Sequence, residues 1–378
     1  MAMIWSMSPD MPRIHAPRRE RAVAAAAGVG ADAVLITSGV NVRYLTGLAS
    51  SNAALLLAVS GLAVLATDSR YAGTAERECP DLELLVERLV EPALLHAALD
   101  AGIHTIAFED QDMTVRRHHD LADLASAGGS GSGLVPLAGA IDELRMVKDE
   151  TELELLARAC AITGEAFSAV LGMLRPGVTE REYAIALERA MIDLGAEAPA
   201  FDSIVASGPN GAIPHHVPGD RPFAVGDLVT IDCGARFGGY HADMTRTVAI
   251  GEPAGWQRDI YLIVAQAQAA GVAAARPGAD VAEVDAIARD IIADAGHDEH
   301  FSHGLGHGVG LEVHEAPIIG YGRTGKLADR VPVTIEPGIY LPGRGGVRIE
   351  DTLVVGAGTG PTGSAQSLTT ITRELLVL

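Results

Sequence analysis

The chain has 378 residues, and at about 150 residues per domain this length predicts two domains and excludes a single small module. Hydrophobic residues make up 48% and charged residues 20%, a composition that is typical of globular proteins and excludes a disordered chain. Because 28 Lys and Arg oppose 49 Asp and Glu, the net charge is −21, and binding to nucleic acid or to an anionic membrane is not expected.

The cysteines and the hydropathy pattern indicate a cellular compartment. Cys79, Cys160 and Cys233 are far apart, which excludes a disulfide framework or a CxxC motif and predicts a cytoplasmic protein. No uncharged apolar run is long enough to span a bilayer. Residues 1–12 lack a basic stretch followed by an apolar one, and we interpret them as a disordered leader rather than a signal peptide.

Residues 13–127 predict a small α/β domain. The dipeptide Ser60-Gly61 joins two apolar runs as a tight hairpin, and an amphipathic period that ends on Gly102 predicts a helix. The predicted strands are 33–36, 52–59, 62–67 and 104–110, and the predicted helix is 91–102.

A Gly-Ser run, GGSGSG, follows this domain. Its lack of large side chains predicts a flexible linker over 128–140, so that a second domain spans 141–378.

Helical patterns alternate with R-P-G tripeptides in the second domain. A long helix is predicted up to about residue 174, closed by R-P-G, and the next helix begins at Thr179 with the spacing of a capping box. Because R-P-G recurs at 276–278 before another helical pattern, 281–295, we expect a domain made of two similar halves.

Two aspartates interrupt predicted strands in the segment 228–250. Asp232 and Asp243 lie in apolar runs joined by Gly238-Gly239. Burying an ionised carboxylate is costly unless a cation or a hydrogen-bond donor compensates for it. The two side chains are therefore either ligands of a shared cation or residues that cap turns by accepting from backbone amides.

Three histidines lie in the glycine-rich segment 303–317. The glycines between His303 and His307 disfavour a helix and predict a loop or strand whose backbone lies close to a ligand. Either of these histidines is a candidate metal ligand, and His314 is a candidate donor to a substrate. The alternative, that each is an ordinary polar residue, is disfavoured because three occur so close together.

One glutamate interrupts each of two later β-branched runs, Glu336 in the first and Glu350 in the second. Arg348 lies two residues before Glu350 on a predicted strand, so we expect both on one face, where Arg348 orients or neutralises a carboxylate. Asp351 faces the opposite side and is interpreted as structural.

Four carboxylates and one imidazole make up the candidate metal ligands: Asp232, Asp243, His307, Glu336 and Glu350. This oxygen-rich set suits paired Mn²⁺, Co²⁺, Fe²⁺ or Zn²⁺ ions rather than a Cys-rich structural zinc site. Two such ions can hold a bridging water, lower its pKa and polarise a carbonyl, which is the chemistry of amide hydrolysis.

These segments, in this order from about residue 142 to 378, resemble the pita-bread metallopeptidases, which include prolidase, aminopeptidase P and methionine aminopeptidase, with creatinase as a non-metal relative. The resemblance implies an α+β chain. Its C-terminal pita-bread domain would have a curved antiparallel sheet and pseudo-twofold halves, and its smaller N-terminal domain would be a creatinase-like α/β domain. Intact metal ligands argue against creatinase, and the N-terminal domain argues against methionine aminopeptidase.

The resemblance also implies a role for each metal ligand. Asp232 would chelate one ion, Asp243 and Glu350 would bridge both, and His307 and Glu336 would bind the other. The implied cofactors are two divalent ions, with Mn²⁺ expected first and Co²⁺, Zn²⁺ or Fe²⁺ as alternatives. Glu336 would also carry a proton from the bridging water to the leaving amine.

Further residues are implied to act on the substrate. His215 would line the pocket and bond the scissile carbonyl or the tetrahedral intermediate, while His303 and His314 would hold the proline-side residue and the developing oxyanion. Arg348 is a further catalytic candidate and Tyr340 a further substrate-binding candidate, both supporting the site from behind.

Three neighbouring residues are expected to do less. His216 is interpreted as a loop residue without a role, and Cys233 as a core residue on the face opposite Asp232. Thr245 shares the face of Asp243, either as a hydroxyl behind the ligands or as a packing residue.

The implied function is hydrolysis of the Xaa-Pro peptide bond through a metal-bridging hydroxide, in Xaa-Pro dipeptides or at the N-terminus of Xaa-Pro peptides. The implied protein is a cytoplasmic homodimer without nucleic-acid or membrane partners. One alternative is a non-catalytic peptide- or protein-binding member of the same fold. Another is a diverged relative that hydrolyses a different C–N bond.

Overall fold

The computed structural model describes residues 11–127, 132–357 and 363–378, with side chains from residue 14 onward. The chain divides into two compact units between Arg145 and Met146. The expected leader lies outside the described residues up to residue 10, and a helix begins at Met11.

Among its described residues, the first unit contains one six-stranded sheet and six helices. Its strands are β1 (Ala33–Ile36), β2 (Ala53–Ala58), β3 (Ala63–Thr67), β4 (Glu83–Val86), β5 (Thr105–Phe108) and β6 (Gly133–Pro136). Its helices are α1 (Met11–Gly28), α2 (Gly39–Thr46), α3 (Ala72–Glu78), α4 (Val90–Asp100), α5 (Val115–Ala127) and α6 (Ala140–Met146), which ends at the boundary.

The order of strands in this sheet is β4-β3-β2-β1-β5-β6. Strand β2 is antiparallel to both neighbours, and the remaining pairs are parallel. Strands β1, β2, β3 and β5 and helix α4 are formed where the sequence predicts them, because runs such as AVLI have no polar face and are fully buried in the sheet.

The structure differs from the expected linker. Strand β6, which lies inside it, pairs in parallel with β5, in the register Thr105↔Gly133, and α6 begins at Ala140. Because glycines flank it, the sequence does not predict this short strand. Its apolar residues, Leu134 and Val135, extend the edge of the first sheet. Residues 128–131 of the Gly-Ser run lie outside the described residues.

The second unit contains four long helices and thirteen short strands among its described residues. The helices are α7 (Glu150–Val170), α8 (Glu180–Asp193), α9 (Gly255–Ala274) and α10 (Val281–Asp294). The strands are β7 (Ala198–Pro199), β8 (Ile204–Ser207), β9 (Leu228–Cys233), β10 (Ala235–Phe237), β11 (Tyr240–His241), β12 (Met244–Ala249), β13 (Gly306–Gly308), β14 (Glu315–Ile319), β15 (Pro332–Ile335), β16 (Gly338–Leu341), β17 (Gly345–Arg348), β18 (Asp351–Val354) and β19 (Gln366–Ser367).

The two halves that the repeated R-P-G predicts are present. Helices α7 and α8 pack on the sheet β12-β9-β8 around a core that includes Phe167, Tyr183 and Ile231. Helices α9 and α10 pack on the sheet β14-β13-β15-β18-β19 around a second core that includes Val264 and Val333. Each half therefore buries one helix pair against one antiparallel sheet, as expected for the pita-bread fold.

One described helical stretch, Glu150–Met173, is long and apolar enough to cross a membrane by length and composition alone, which is weak evidence for a membrane span. A core helix of a soluble protein passes the same test, and half of its most apolar stretch is buried within the structure. Ile162 and Phe167 are buried in the first core, and a capping box between Asp149 and Glu152 begins the helix. Packing inside the unit thus accounts for its apolar residues.

Candidate metal centre

The two aspartates occupy neighbouring strands of one sheet. Asp232 lies on β9 and Asp243 directly precedes β12, and the antiparallel register sets Asp232 opposite Thr245. Because residues two apart in an extended chain share a face, Asp243 lies diagonally across from Asp232 on the same side of the sheet. The segment 228–250 contains four strands rather than the predicted two, since β10 and β11 turn into a separate small sheet.

Both glutamates lie at breaks between strands. Strand β15 pairs with β18, in the register Ile335↔Asp351, and β16 pairs with β17, in the register Gly338↔Arg348. Glu336 and Glu350 lie in the gaps between these two pairs, where both segments leave one sheet and enter the next. The prediction that each run forms one continuous strand is therefore wrong.

His307 lies in the middle of β13, flanked by glycines. A Cβ atom at Gly306 would overlap the carbonyl of Thr334, and one at Gly308 would overlap the carbonyl of Ala316. The glycines thus allow neighbouring backbones to approach each other. The Nδ1 atom of His307 bonds the Gly308 carbonyl oxygen at 3.0 Å, which aims Nε2 away from its own backbone.

The five candidate ligands converge. His307 Nε2 lies 3.4 Å from Glu336 Oε1 and 3.6 Å from Asp243 Oδ2. Two overlapping triads of donor atoms, each within 4.8 Å of one another, are Asp232-Asp243-Glu350 and His307-Glu336-Glu350. Glu350 belongs to both triads. The arrangement can hold two cations side by side that share Glu350.

Crowding of acids in a buried site shifts their protonation. Burial and the negative charge of Glu350 raise the pKa of Asp243 well above its usual range, and burial and the charge of Glu336 do the same for the pKa of Glu350. Burial also opposes ionisation of Glu336, but the hydrogen bond with His307 and the nearby positive charges, that of Arg348 among them, together outweigh it and lower the pKa of Glu336 to about 2. A cation among these oxygens would relieve the repulsion.

The donor set fits divalent metal ions. Asp232 Oδ1 is buried and has no hydrogen-bond partner within the described part of the chain. An orphaned carboxylate oxygen is costly in such a position unless a cation binds it. Together with three other carboxylates and an imidazole, this oxygen favours Mn²⁺, Co²⁺, Fe²⁺ or Zn²⁺.

Arg348 and Thr245 support the carboxylates from behind. Arg348 Nη2 donates to Asp232 Oδ2 at 2.8 Å, and Arg348 Nε donates to Thr245 Oγ1 at 3.0 Å. The Thr245 hydroxyl in turn donates to Glu350 Oε2 at 2.7 Å. Of the two roles left open for Thr245, the structure selects the hydroxyl behind the ligands. Arg348 reaches Glu350 through this hydroxyl, and not from a shared strand face, because β17 ends at Arg348.

His303 and Tyr340 extend this network. His303 Nε2 and the Tyr340 hydroxyl are 2.8 Å apart, and Arg348 Nη1 donates to the same hydroxyl at 2.9 Å. Burial raises the pKa of Tyr340 to about 12, so the phenol stays protonated. Burial also lowers the pKa of His303, which keeps the imidazole neutral. A chain of hydrogen bonds therefore runs from His303 to Asp232.

A cavity of about 550 Å³ opens above the carboxylates. His215 and His314 are exposed in it, and the His314 ring lies edge-on to that of His307, with 4.4 Å between centroids. A third triad, Asp243-His307-His314, places His314 within reach of a cation as well as of a substrate. The apolar side chains of Phe201, Val217, Val313 and Ile318 line the remaining wall.

Two residues near the site differ in how well the sequence predicted them. Asp351 is structural as expected: it is fully buried and accepts from Arg246 at 2.7 Å and from Gln268 at 2.9 Å. Glu180, which sequence reasoning missed, is fully buried at the start of α8 and accepts hydrogen bonds from the segment that carries His215. The only signal for it is a glutamate beside a capping box, which is common at exposed helix starts.

Residues 154–357 match the family described as Metallopeptidase family M24, and residues 18–147 match the Creatinase/Prolidase N-terminal domain. A Xaa-Pro dipeptidase of Pyrococcus horikoshii is 36% identical over 91% of this chain and 94% of its own length.

Two solved structures are similar over nearly the whole chain. A Xaa-Pro dipeptidase from Bacillus anthracis has a TM-score of 0.89 at 34% identity, covering 96% of this chain and 100% of that one. An X-Pro aminopeptidase from Thermotoga maritima has a TM-score of 0.86 at 35% identity, covering 95% and 99%. With both family models matched in order and solved peptidases similar over nearly its whole length, the chain is a peptidase and belongs to metallopeptidase family M24.

Proposed function

We propose that this enzyme is a dinuclear-metal peptidase that hydrolyses the peptide bond before proline, with Xaa-Pro dipeptides as its first substrate class. The observation that carries the proposal is the pair of ligand triads that share Glu350 at the floor of the cavity. A protein that only binds peptides has no need of four carboxylates crowded in a buried site, which disfavours the non-catalytic alternative.

Each candidate ligand receives a proposed role. Asp232 would hold one ion, His307 and Glu336 would hold the other, and Asp243 and Glu350 would contribute to both. The proposal is supported by the first two triads and by the 3.6 Å between Asp243 and His307. Mn²⁺ is the proposed native metal, because an oxygen-rich set with one nitrogen suits it.

When bound, two divalent ions would polarise the scissile carbonyl and lower the pKa of a water molecule toward neutrality. Side chains of the protein then transfer the proton, stabilise the developing charge and position the substrate. Glu336 accepts the proton of the attacking water and passes it to the prolyl nitrogen. His215 donates to the carbonyl oxygen as negative charge develops on it, and His314 and His303 hold the proline-side residue.

Arg348 and Tyr340 act through neighbouring groups. Arg348 fixes one oxygen of Asp232, which leaves the orphaned Oδ1 for a cation, and Tyr340 orients the His303 ring. A prolyl amide needs such dedicated positioning, because its nitrogen carries no N–H and its ring fixes φ.

Cleavage at the N-terminus of longer Xaa-Pro peptides is a second candidate activity. It is favoured by the similarity to the Thermotoga X-Pro aminopeptidase, which is as close in sequence as the Bacillus dipeptidase. We further propose a cytoplasmic homodimer. The three buried free thiols, Cys79, Cys160 and Cys233, support a reducing compartment.

The test is hydrolysis of Ala-Pro, Ala-Pro-Ala and Ala-Ala by metal-stripped enzyme that is given back Mn²⁺, Co²⁺ or Zn²⁺ in turn. We expect cleavage of Ala-Pro, greatest with Mn²⁺, and none of Ala-Ala. Cleavage of Ala-Pro-Ala in addition would establish the aminopeptidase activity. Bound metal without cleavage of either proline peptide would refute the function and favour another C–N bond as the target.

A further inference from the structure

Glu180 makes a buried cluster of hydrogen bonds with one segment of the chain, residues 207–219. Its side chain is fully buried, although it lies in the first turn of α8. Oε1 accepts from the Ser207 amide at 2.8 Å, the Ser207 hydroxyl at 2.7 Å and the Asn210 side chain at 2.9 Å. Oε2 lies 2.8 Å from His216 Nε2 and accepts from the Gly219 amide at 3.2 Å. One carboxylate thus binds the beginning, the middle and the end of the segment.

The same segment is also held from the opposite side. Arg348 Nη1 donates to the Pro214 carbonyl at 3.4 Å. The 3₁₀ turn Gly208–Ala212 packs on β17 so closely that a Cβ atom at Gly211 would lie 3.1 Å from the Gly346 amide nitrogen. The segment therefore lies between Glu180 and the strand that carries Arg348.

His215 projects from this segment into the cavity. Its side chain is exposed, and among the described residues no hydrogen bond is formed by its ring. Its position must therefore come from its two neighbours in the chain: Arg348 bonds the carbonyl of Pro214, and Glu180 bonds the side chain of His216. Burying a charged carboxylate is costly, but once several donors satisfy it, the network holds the surrounding chain rigidly.

We infer that Glu180 is a positioning residue that fixes His215 over the metal centre, with His216 as the link between them. The inference deepens the proposed function, on which it rests for the role of His215. It assigns a role to His216, for which the sequence predicts none.

The test compares Glu180→Gln with Glu182→Gln, a matched control two residues further along the same helix. Glu182 is exposed, and within the described part of the chain its side chain bonds only the Thr179 amide and hydroxyl of the capping box. We expect Glu180→Gln to lower kcat for Ala-Pro by about 10²-fold, because small displacements of a reacting group cost that much. Metal stoichiometry should stay at the wild-type value. Glu182→Gln should leave kcat unchanged.

A double-mutant cycle separates positioning from general destabilisation. In a His215→Ala background, Glu180→Gln should cause little further loss of kcat, since the group that it positions is already absent. An equal loss in both backgrounds would overturn the inference. If Glu180→Gln does not fold, His216→Ala replaces it in the same cycle, because His216 is half-buried and less costly to truncate.

Hydrogen exchange of the metal-free enzyme provides a readout that needs no activity. Exchange over residues 207–219 should be faster in Glu180→Gln than in the wild type, while exchange over α9 and α10 stays unchanged. Unchanged exchange over 207–219, or a uniform rise, would contradict the inference. If the wild-type enzyme cleaves no Xaa-Pro peptide, the proposed function fails, and this exchange comparison alone decides whether Glu180 holds the segment.

Discussion

Replacing Thr245 by valine tests whether a single buried hydroxyl sets the metal affinity. Thr245 is fully buried, donates to Glu350 and accepts from Arg348. Valine has nearly the same shape, so the change removes the two hydrogen bonds and leaves the packing largely intact. Glu350 then loses the donor that fixes one of its oxygens, and Arg348 Nε loses its acceptor.

The expected magnitude follows from these two bonds. A hydrogen bond to a charged group contributes about 1.5–3 kcal/mol, and each tenfold change in affinity corresponds to about 1.4 kcal/mol. Groups that orient metal ligands from behind change metal affinity by about 10- to 100-fold when they are removed. We therefore expect Thr245→Val to weaken Mn²⁺ binding by about 10- to 100-fold.

Isothermal titration of the metal-free protein with Mn²⁺ measures the change. The matched control is Thr247→Val, on the same strand and equally buried, whose hydroxyl bonds the Arg348 carbonyl and Thr230 but no ligand carboxylate. It should alter stability and leave the metal affinity unchanged. Equal affinity in Thr245→Val and wild type, or equal weakening in both variants, would show that the reasoning is wrong.

Three further substitutions and one labelling experiment probe other parts of the structure. Asp243→Ala should reduce the bound metal, measured by elemental analysis, to one ion or none, and a variant with two ions and full activity would refute bridging. His215→Ala should keep both ions and lower kcat for Ala-Pro by about 10²-fold, as for removal of an oxyanion donor; loss of metal instead would place it among the ligands. Arg246→Met removes the fully buried guanidinium that pairs with Asp351 and leaves this carboxylate with Gln268 and the partly exposed Arg373, so it should destabilise the metal-free protein by about 3–5 kcal/mol in urea unfolding; an unchanged midpoint would contradict this. Burial raises the pKa of Cys160 to about 12, so at pH 8 its thiolate is scarce and iodoacetamide should label it only after denaturation; rapid native labelling would contradict the burial.

The sequence was sufficient to predict which residues meet at the candidate metal centre. Each of the four carboxylates interrupts an apolar run in which a charge is costly, and His307 lies in a glycine-rich segment with two other histidines. Asp232 and Glu350 are examples: the interruption itself is visible in the sequence. What it does not contain is the geometry. The strands break at Glu336 and Glu350 because each run contributes one strand to each of two different sheets. The pattern of residues within one run does not reveal this.

Glu180 and β6 were missed for related reasons. The proposed role of Glu180 depends on hydrogen-bond donors that lie 27 to 39 residues away in the chain. No local sequence pattern indicates these donors. Strand β6 is short and follows glycines, so its local composition favours a linker, and only its pairing with β5 makes it a strand. In both cases a tertiary contact outweighs the local preference.

The position of Glu336 and Glu350 at paired strand breaks has a consequence for folding. Their alignment depends on two independent registers, Ile335↔Asp351 on one side and Gly338↔Arg348 on the other. A slip of one residue in either pair would turn a glutamate to the opposite face. An ion that requires both carboxylates therefore binds only chains in which both hairpin arms are correctly aligned, and its binding energy adds to the stability of that alignment over every misaligned one.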